Sequence, residues 1–292
     1  MSRNEERKKF RAARTYQSAS QHDGDDASSE ALNPGGVVRG KLFGLTPVME
    51  ALRAGTRPIE HITIAEGIQD HRLRELLELA RSASVPVRHA PRSSFARMVG
   101  SGSNHQGVVA NIASARFADS FDLLNSLTAR IGTIDPPLAL ALDGVEDPHN
   151  LGAVLRTVEC VGGHGVFIPE RRSVGLTETV AKVAAGALEY VPVARVTNLT
   201  RLIEEMKSRN IWTVATDADA DIDYTDWDWT GACAVFFGGE GTGLHRLVRE
   251  RCDASVRIPL RGRITSLNVS VSVGVVLYEA LRQRTAKRLV KG

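Results

Sequence analysis

No stretch of this sequence approaches the roughly 18 consecutive apolar residues of a membrane span, and its charged N-terminus is not followed by the apolar core of a secretory leader. Both absences point to a cytoplasmic protein with no membrane partner. Cysteine is scarce: Cys160, Cys233 and Cys252 lie far apart, without Cys-x-x-Cys spacing or neighbouring histidine pairs. That leaves neither a disulfide framework nor a zinc site, and the three read as buried free thiols. The common phosphate-loop motifs are missing as well. Gly239, Gly241 and Gly243 do not form GxGxxG, and no GxxxxGK[S/T] occurs, so a dinucleotide fold of the Rossmann type and a Walker nucleotidase are both set aside. No internal repeat is evident.

What is present is a soluble globular composition. The chain has 292 residues, 42% hydrophobic and 24% charged, enough for about two domains with cores of their own. The net charge of +3 is unevenly spread. Six Lys/Arg stand against Glu5 and Glu6 in residues 1–14, and Arg282, Arg284, Lys287, Arg288 and Lys291 close the chain with no acid among them. Basic ends on a near-neutral body suit a nucleic-acid partner and suit solvated tails equally well.

Residues 1–36 are rich in Ser, Asp, Arg and Gln, end in Asn33-Pro34-Gly35-Gly36, and cannot bury enough apolar surface to fold; a disordered tail is expected. A small α/β domain is expected over 37–115, with helices at 47–54, 69–83 and 92–99 alternating with strands at 59–64, 85–88 and 107–112. Its His89 and the run Asn104-His105-Gln106-Gly107 put polar side chains in loops, where binding residues often sit and where structural roles are commoner still. Residues 116–137 read as a linker holding a short amphipathic piece at 121–130 and the breaker Asp135-Pro136-Pro137. A second α/β domain fills 138–292. Continuous apolar runs at 138–142, 165–168, 211–215, 233–237 and 255–258 read as buried parallel strands, with helices at 153–161, 177–188, 199–209 and 244–250 between them.

In an open parallel sheet, ligands gather outside the carboxyl ends of the strands. Three strand-ending loops are distinctive. The first runs from Asp143 through Asn150 to Gly152, with Arg156 further along the next helix. The second is Gly238-Gly239-Glu240-Gly241-Thr242-Gly243, in which four glycines surround one carboxylate. The third opens at Ile258, continues through Arg261, Gly262 and Arg263, and reaches Thr265, Ser266 and Asn268. Beyond it, Val269, Val271 and Val273 alternate like a strand, whereas Val276, Leu277, Ala280 and Leu281 follow a helical period. The length of the run and the cations at its end favour one helix over 267–284 with Ser266 as N-cap. Free N–H groups at such a terminus can hold a ligand's anionic or hydroxyl groups, or the cap can be an ordinary one.

The segments DPHNLGAVLRT (147–157), FFGGEGTGL (236–244) and IPLRGRITSLNVSVSVG (258–274) together resemble the three motifs of SpoU-type methyltransferases of the SPOUT superfamily, in order and at family-like spacing. GLTPVMEAL (44–52) and NHQGVVA (104–110) resemble the L30e-like RNA substrate-binding domain of the same family. The resemblance implies an α/β fold in which a C-terminal SPOUT domain with a parallel sheet and deep trefoil knot follows that small domain. It implies S-adenosyl-L-methionine as cofactor, contacted at Gly238, Ile258 and Leu267 with further contacts from Thr216, Gly239 and Ser266. It implies a catalytic set of Asn150, Arg156, Glu240, Ser266 and Asn268, a homodimer through the knotted domain, no metal, and methylation of a ribose 2′-hydroxyl in RNA, most like a guanosine of 23S rRNA. A tRNA or another rRNA site, or a non-catalytic RNA-binding protein of ribosome assembly, are the alternatives.

Overall fold

Two sheets of different size are formed by the residues that the structure, a computed structural model, describes: 39–68, 70–100, 104–239, 241 and 243–291. The expected tail at 1–36 lies outside them. The smaller sheet takes the order β1-β4-β2-β3, from β1 (Arg39–Phe43), β2 (Ile59–Ala65), β3 (Val87–Ala90) and β4 (Val108–Ala113). β4 pairs antiparallel with β1 and β2, and β3 joins β2 in parallel. Helices α1 (Leu45–Ala54), α2 (Leu73–Ser82) and α3 (Phe95–Val99) accompany it. Its core gathers Val48, Ile62, Ile64, Leu76, Val108 and Ala110. The loop at 104–107 is used structurally. Gln106 Oε1 accepts from the Leu45 N–H at the start of α1 at 3.0 Å, and the His105 ring stacks on Phe95 with centroids 5.0 Å apart.

The larger sheet has the order β7-β6-β5-β10-β8-β11-β9, and every pairing in it is parallel. Its strands are β5 (Leu138–Asp143), β6 (Gly165–Pro169), β7 (Val193–Val196), β8 (Trp212–Thr216), β9 (Ile222–Asp223), β10 (Cys233–Gly238) and β11 (Ala254–Arg257). The chain winds outward from β5 through β6 to β7 and then returns to the other side. β5 and β10 therefore flank a switch point, the place beside which ligands gather in open parallel sheets. Burial on both faces explains the unbroken apolar runs. Leu138, Leu140 and Leu142 face one core, and Ala139 and Ala141 the other.

Helices α4 (Ser120–Thr128), α5 (Pro148–Cys160), α6 (Glu178–Val183), α7 (Leu199–Ser208), α8 (Arg246–Arg251) and α9 (Val269–Lys291) cover these faces. α4 is the amphipathic piece expected in the linker; Asp119 caps it, and Leu123, Leu124 and Leu127 bury it against the sheet with α7. The helix expected over 177–188 is instead α6 followed by a 3-10 turn at Ala187–Glu189. α9 begins later than expected. Its cap is Asn268 rather than Ser266, with Asn268 Oδ1 accepting from Ser270 N–H at 2.8 Å, and it runs on to Lys291. Val269, Val273, Val276, Leu277 and Ala280 are buried, so the helical period holds through the valines whose alternation suggested a strand. Val271 is left half exposed. All three cysteines are free, but Cys160 is exposed on the outer face of α5, against the expectation of burial. Among the described residues no helix is long and apolar enough to cross a membrane.

Candidate active site

The carboxyl ends of β8, β10 and β11 surround a cleft of about 640 Å³. Thr216 ends β8, Gly238 ends β10, and Ile258 follows β11 directly; all three line it, and its far wall is the 265–269 segment leading into α9. Gly239, Ser266 and Leu267 line it as well, so the six residues that the sequence pointed to as cofactor contacts share one cavity. The Thr216 hydroxyl donates to the Phe236 carbonyl at 3.0 Å, joining β8 to β10 just below the cleft. Gly239 N–H donates to the Asp143 carbonyl at 2.7 Å, and a Cβ there would stand 2.1 Å from the Gly144 carbonyl oxygen. Only glycine allows the 238–243 loop to approach the β5 end so closely.

Of the expected catalytic set, two side chains meet directly. Asn268 Nδ2 donates to Asn150 Oδ1 at 3.0 Å across 118 residues of sequence, while Asn268 Oδ1 caps α9. Asn150 is 7% exposed, on the first turn of α5, where Asp147 caps the helix by accepting from His149 N–H. One amide thus joins two helix N-termini from two of the three motifs, and Asn268 also lines the cleft. Ser266 is exposed on the cleft wall. Arg156 is elsewhere. It lies on the exposed face of α5 with His149, opposite the buried Asn150, Val154 and Val158, and is not part of the cleft lining. Among the described residues its guanidinium has no hydrogen bond or ion pair. Glu240 lies outside the described residues.

Some wall residues escaped the sequence reading. Leu260 and Val256 add apolar surface, and Asp217 and Arg249, paired at 2.8 Å, line the same cleft. Asp217 directly follows a strand end, a signal that could have found it; Arg249 sits inside α8, where nothing in the pattern marks it. Below the glycine loop, Asp143 is 6% exposed and accepts from both the backbone N–H (2.9 Å) and ring Nδ1 (2.8 Å) of His245, which anchors the exit of that loop. Among the described residues, no three His, Cys, Asp or Glu side chains gather as metal ligands would.

A cavity of this size falls within the usual range for a small-molecule site, about 300–1,000 Å³. Its lining combines aliphatic walls from Val256, Ile258, Leu260 and Leu267, two hydroxyls from Thr216 and Ser266, and an ion pair. That donor set fits a nucleoside carrying a zwitterionic chain, as S-adenosylmethionine does. The sequence profile of the SpoU rRNA methylase family matches residues 137–278, and that of the RNA 2′-O ribose methyltransferase substrate-binding domain matches 41–118. The chain is 43% identical to the 23S rRNA (guanosine-2′-O-)-methyltransferase RlmB of Pseudomonas syringae over 85% of its own length and 97% of that protein's. It belongs to the SpoU rRNA methylase family. A relative in Bacillus subtilis, named putative TrmH family tRNA/rRNA methyltransferase YacO, is 42% identical over 83% of this chain and 95% of its own. Among solved structures, the SpoU methyltransferase AviRb from Streptomyces viridochromogenes, in complex with AdoMet, superimposes with a TM-score of 0.68 at 25% identity, covering 85% of this chain and 91% of that one.

Proposed function

We propose that this protein is a cytoplasmic methyltransferase that uses S-adenosylmethionine to methylate the ribose 2′-hydroxyl of a guanosine in 23S rRNA. The carrying observation is the convergence of Thr216, Gly238, Gly239, Ile258, Ser266 and Leu267 on one cleft, with the Asn150–Asn268 bond beside it. The likeness to RlmB supports the rRNA substrate, and the match of residues 41–118 supports an RNA-holding first domain. Transfer to tRNA is the second reading, favoured by the name of the YacO relative alone.

S-adenosylmethionine, when bound, supplies an electrophilic methyl group on a sulfonium. The chain's residues have to hold a ribose hydroxyl in line with it and let one proton leave. Asn268 and Asn150, locked to each other and to two helix N-termini, form a rigid polar wall on which the hydroxyl is oriented. Ser266 adds a hydroxyl to that wall. The proton passes to the Glu240 carboxylate or to solvent. A guanidinium stays protonated in almost any protein site, so Arg156 is a poor base and a good clamp for the phosphate beside the target ribose.

The position of Arg156 outside its own chain's cleft supports a homodimer in which a second copy brings Arg156 to the site. Val271 and Tyr278, each about half exposed on α9, belong to the same reading, because α9 packs against α5 and the two outer faces adjoin. The threading of the third loop as a deep trefoil knot is also part of it. Arg156→Ala tests the clamp. Calorimetric affinity for S-adenosylmethionine is expected to stay nearly unchanged, while single-turnover methylation of a 23S rRNA fragment falls on the order of 100-fold. Arg156→Lys keeps the charge without the planar fork and should recover only a small part. Loss of cofactor binding, or an unchanged rate, would refute the assignment.

A further inference from the structure

The substrate-binding and catalytic domains meet along a seam made by residues 178–190, none of which lines the cleft. Its centre is a buried ion pair. The Glu189 side chain is 2% exposed, and its carboxylate accepts from Thr56 Oγ1 at 2.8 Å, from Arg57 Nε at 3.0 Å and from Arg57 Nη2. Arg57 also donates from Nη1 to the Ala113 carbonyl at 3.1 Å, so its fork grips the end of β4 and the catalytic domain together. Ala181 and Leu188 of the same segment pack into the first domain's apolar core, and directional polar contacts flank the pair. Tyr190 donates its hydroxyl to Glu50 at 2.8 Å, and the Lys41 N–H donates to Glu178 at 2.8 Å. Gly186, at φ +101°, comes so near α1 that a Cβ would stand 2.4 Å from Glu50 Cβ.

Interfaces between domains of one chain are ordinarily polar and allow relative motion. A buried ion pair adds little net stability, since desolvation offsets most of its attraction, but a bidentate Arg–carboxylate fork is directional and selects one geometry. Resting on the function proposed above, we propose that the Thr56/Arg57–Glu189 contact is a latch that fixes the angle at which the first domain presents RNA to the cleft. Arg57 and Glu189 are then positioning residues for the choice of nucleotide. Neither lines the cleft, yet displacement of a substrate by about 1 Å can cost on the order of 100-fold in rate.

The test uses the full chain with Arg57→Ala, Glu189→Gln and the double variant; Gln keeps the volume of Glu and guards against unfolding. Each single variant is expected to raise KM for a 23S rRNA fragment about ten-fold and to scatter methylation onto neighbouring riboses. S-adenosylmethionine affinity should stay within about two-fold, and the double variant should be no worse than the worse single, because both remove one contact. Small-angle scattering should show a wider spread of domain spacing. Unchanged KM and product position in the folded variants, or losses that multiply in the double, would overturn the latch. If the unaltered protein methylates no rRNA fragment, the functional reading fails instead, and unchanged scattering in Glu189→Gln is then the result that overturns the latch.

Discussion

His164 carries a charge-sensitive contact that no motif marks. Its Nδ1 accepts from the Leu138 N–H at 3.0 Å, so the ring proton sits on Nε2 and is donated to Asp135 at 2.9 Å. Burial holds its pKa below the ordinary histidine value, only partly offset by that bond to Asp135. Once pH drops below the unfolded value of about 6.5, the unfolded chain takes up a proton that the folded ring resists, and stability falls with further acidification. The melting temperature should therefore be flat above neutrality and decline towards pH 5, with a shallower decline in His164→Gln; an identical slope would show that His164 is not responsible. At this scale the residues proposed to carry chemistry stand out where the sequence concentrates unusual types in strand-ending loops, as with Asn150 and Asn268. Their mutual hydrogen bond does not, because 118 residues separate them and only the crossing of α5 and α9 brings them together. Arg156 shows the converse: its motif suggested a role, and the structure puts it on the outward face of α5, away from the cleft lining.

Strands buried on both faces were readable as continuous apolar runs, and β5, β6, β8, β10 and β11 stand within a residue or two of their expected bounds. The unread strands are β1, β7 and β9, each at an edge of its sheet. An edge strand is paired on one side only, so its apolar demand is weaker and a polar stretch such as Arg39–Phe43 suffices. Helix ends were the least legible. Ser266 and Asn268 are both good caps, and the choice fell to Asn268 because its amide reaches Asn150 as well. At the other end of α9, Arg284 is 8% exposed and donates to the carbonyls of Trp229, Pro136, Pro137 and Gly231 at 2.6–3.1 Å. It ties the C-terminal helix to the connector before β5 and the entry of β10. Arg284→Ala strands several buried acceptors, so it should lower the unfolding free energy by about 3 kcal/mol in urea titration. Arg284→Lys should recover only part of it, since one ammonium cannot fan across four carbonyls. A loss under ~1 kcal/mol, typical of a single ordinary hydrogen bond, would show that the clamp is not structural.

For the whole molecule, the proposed sharing of a site between two copies makes a distinctive forecast. Arg156→Ala and Asn268→Ala are each expected to be strongly impaired alone. Mixed and allowed to exchange subunits, they should regain activity, because one site of every heterodimer then holds its own Asn268 and the partner's unaltered arginine. No regain on confirmed exchange would mean that Arg156 acts within its own chain, and a monomer in sedimentation at micromolar concentration would remove the dimer altogether. The function itself is reached most directly by supplying the purified chain with S-adenosylmethionine carrying a labelled methyl and with 23S rRNA, then digesting the RNA to nucleosides. The label should appear as 2′-O-methylguanosine at one position and vanish with Leu267→Asp, which puts a charge into the aliphatic wall of the cleft. Label on a base, or binding of S-adenosylmethionine with no methyl transferred to any RNA, would contradict the account.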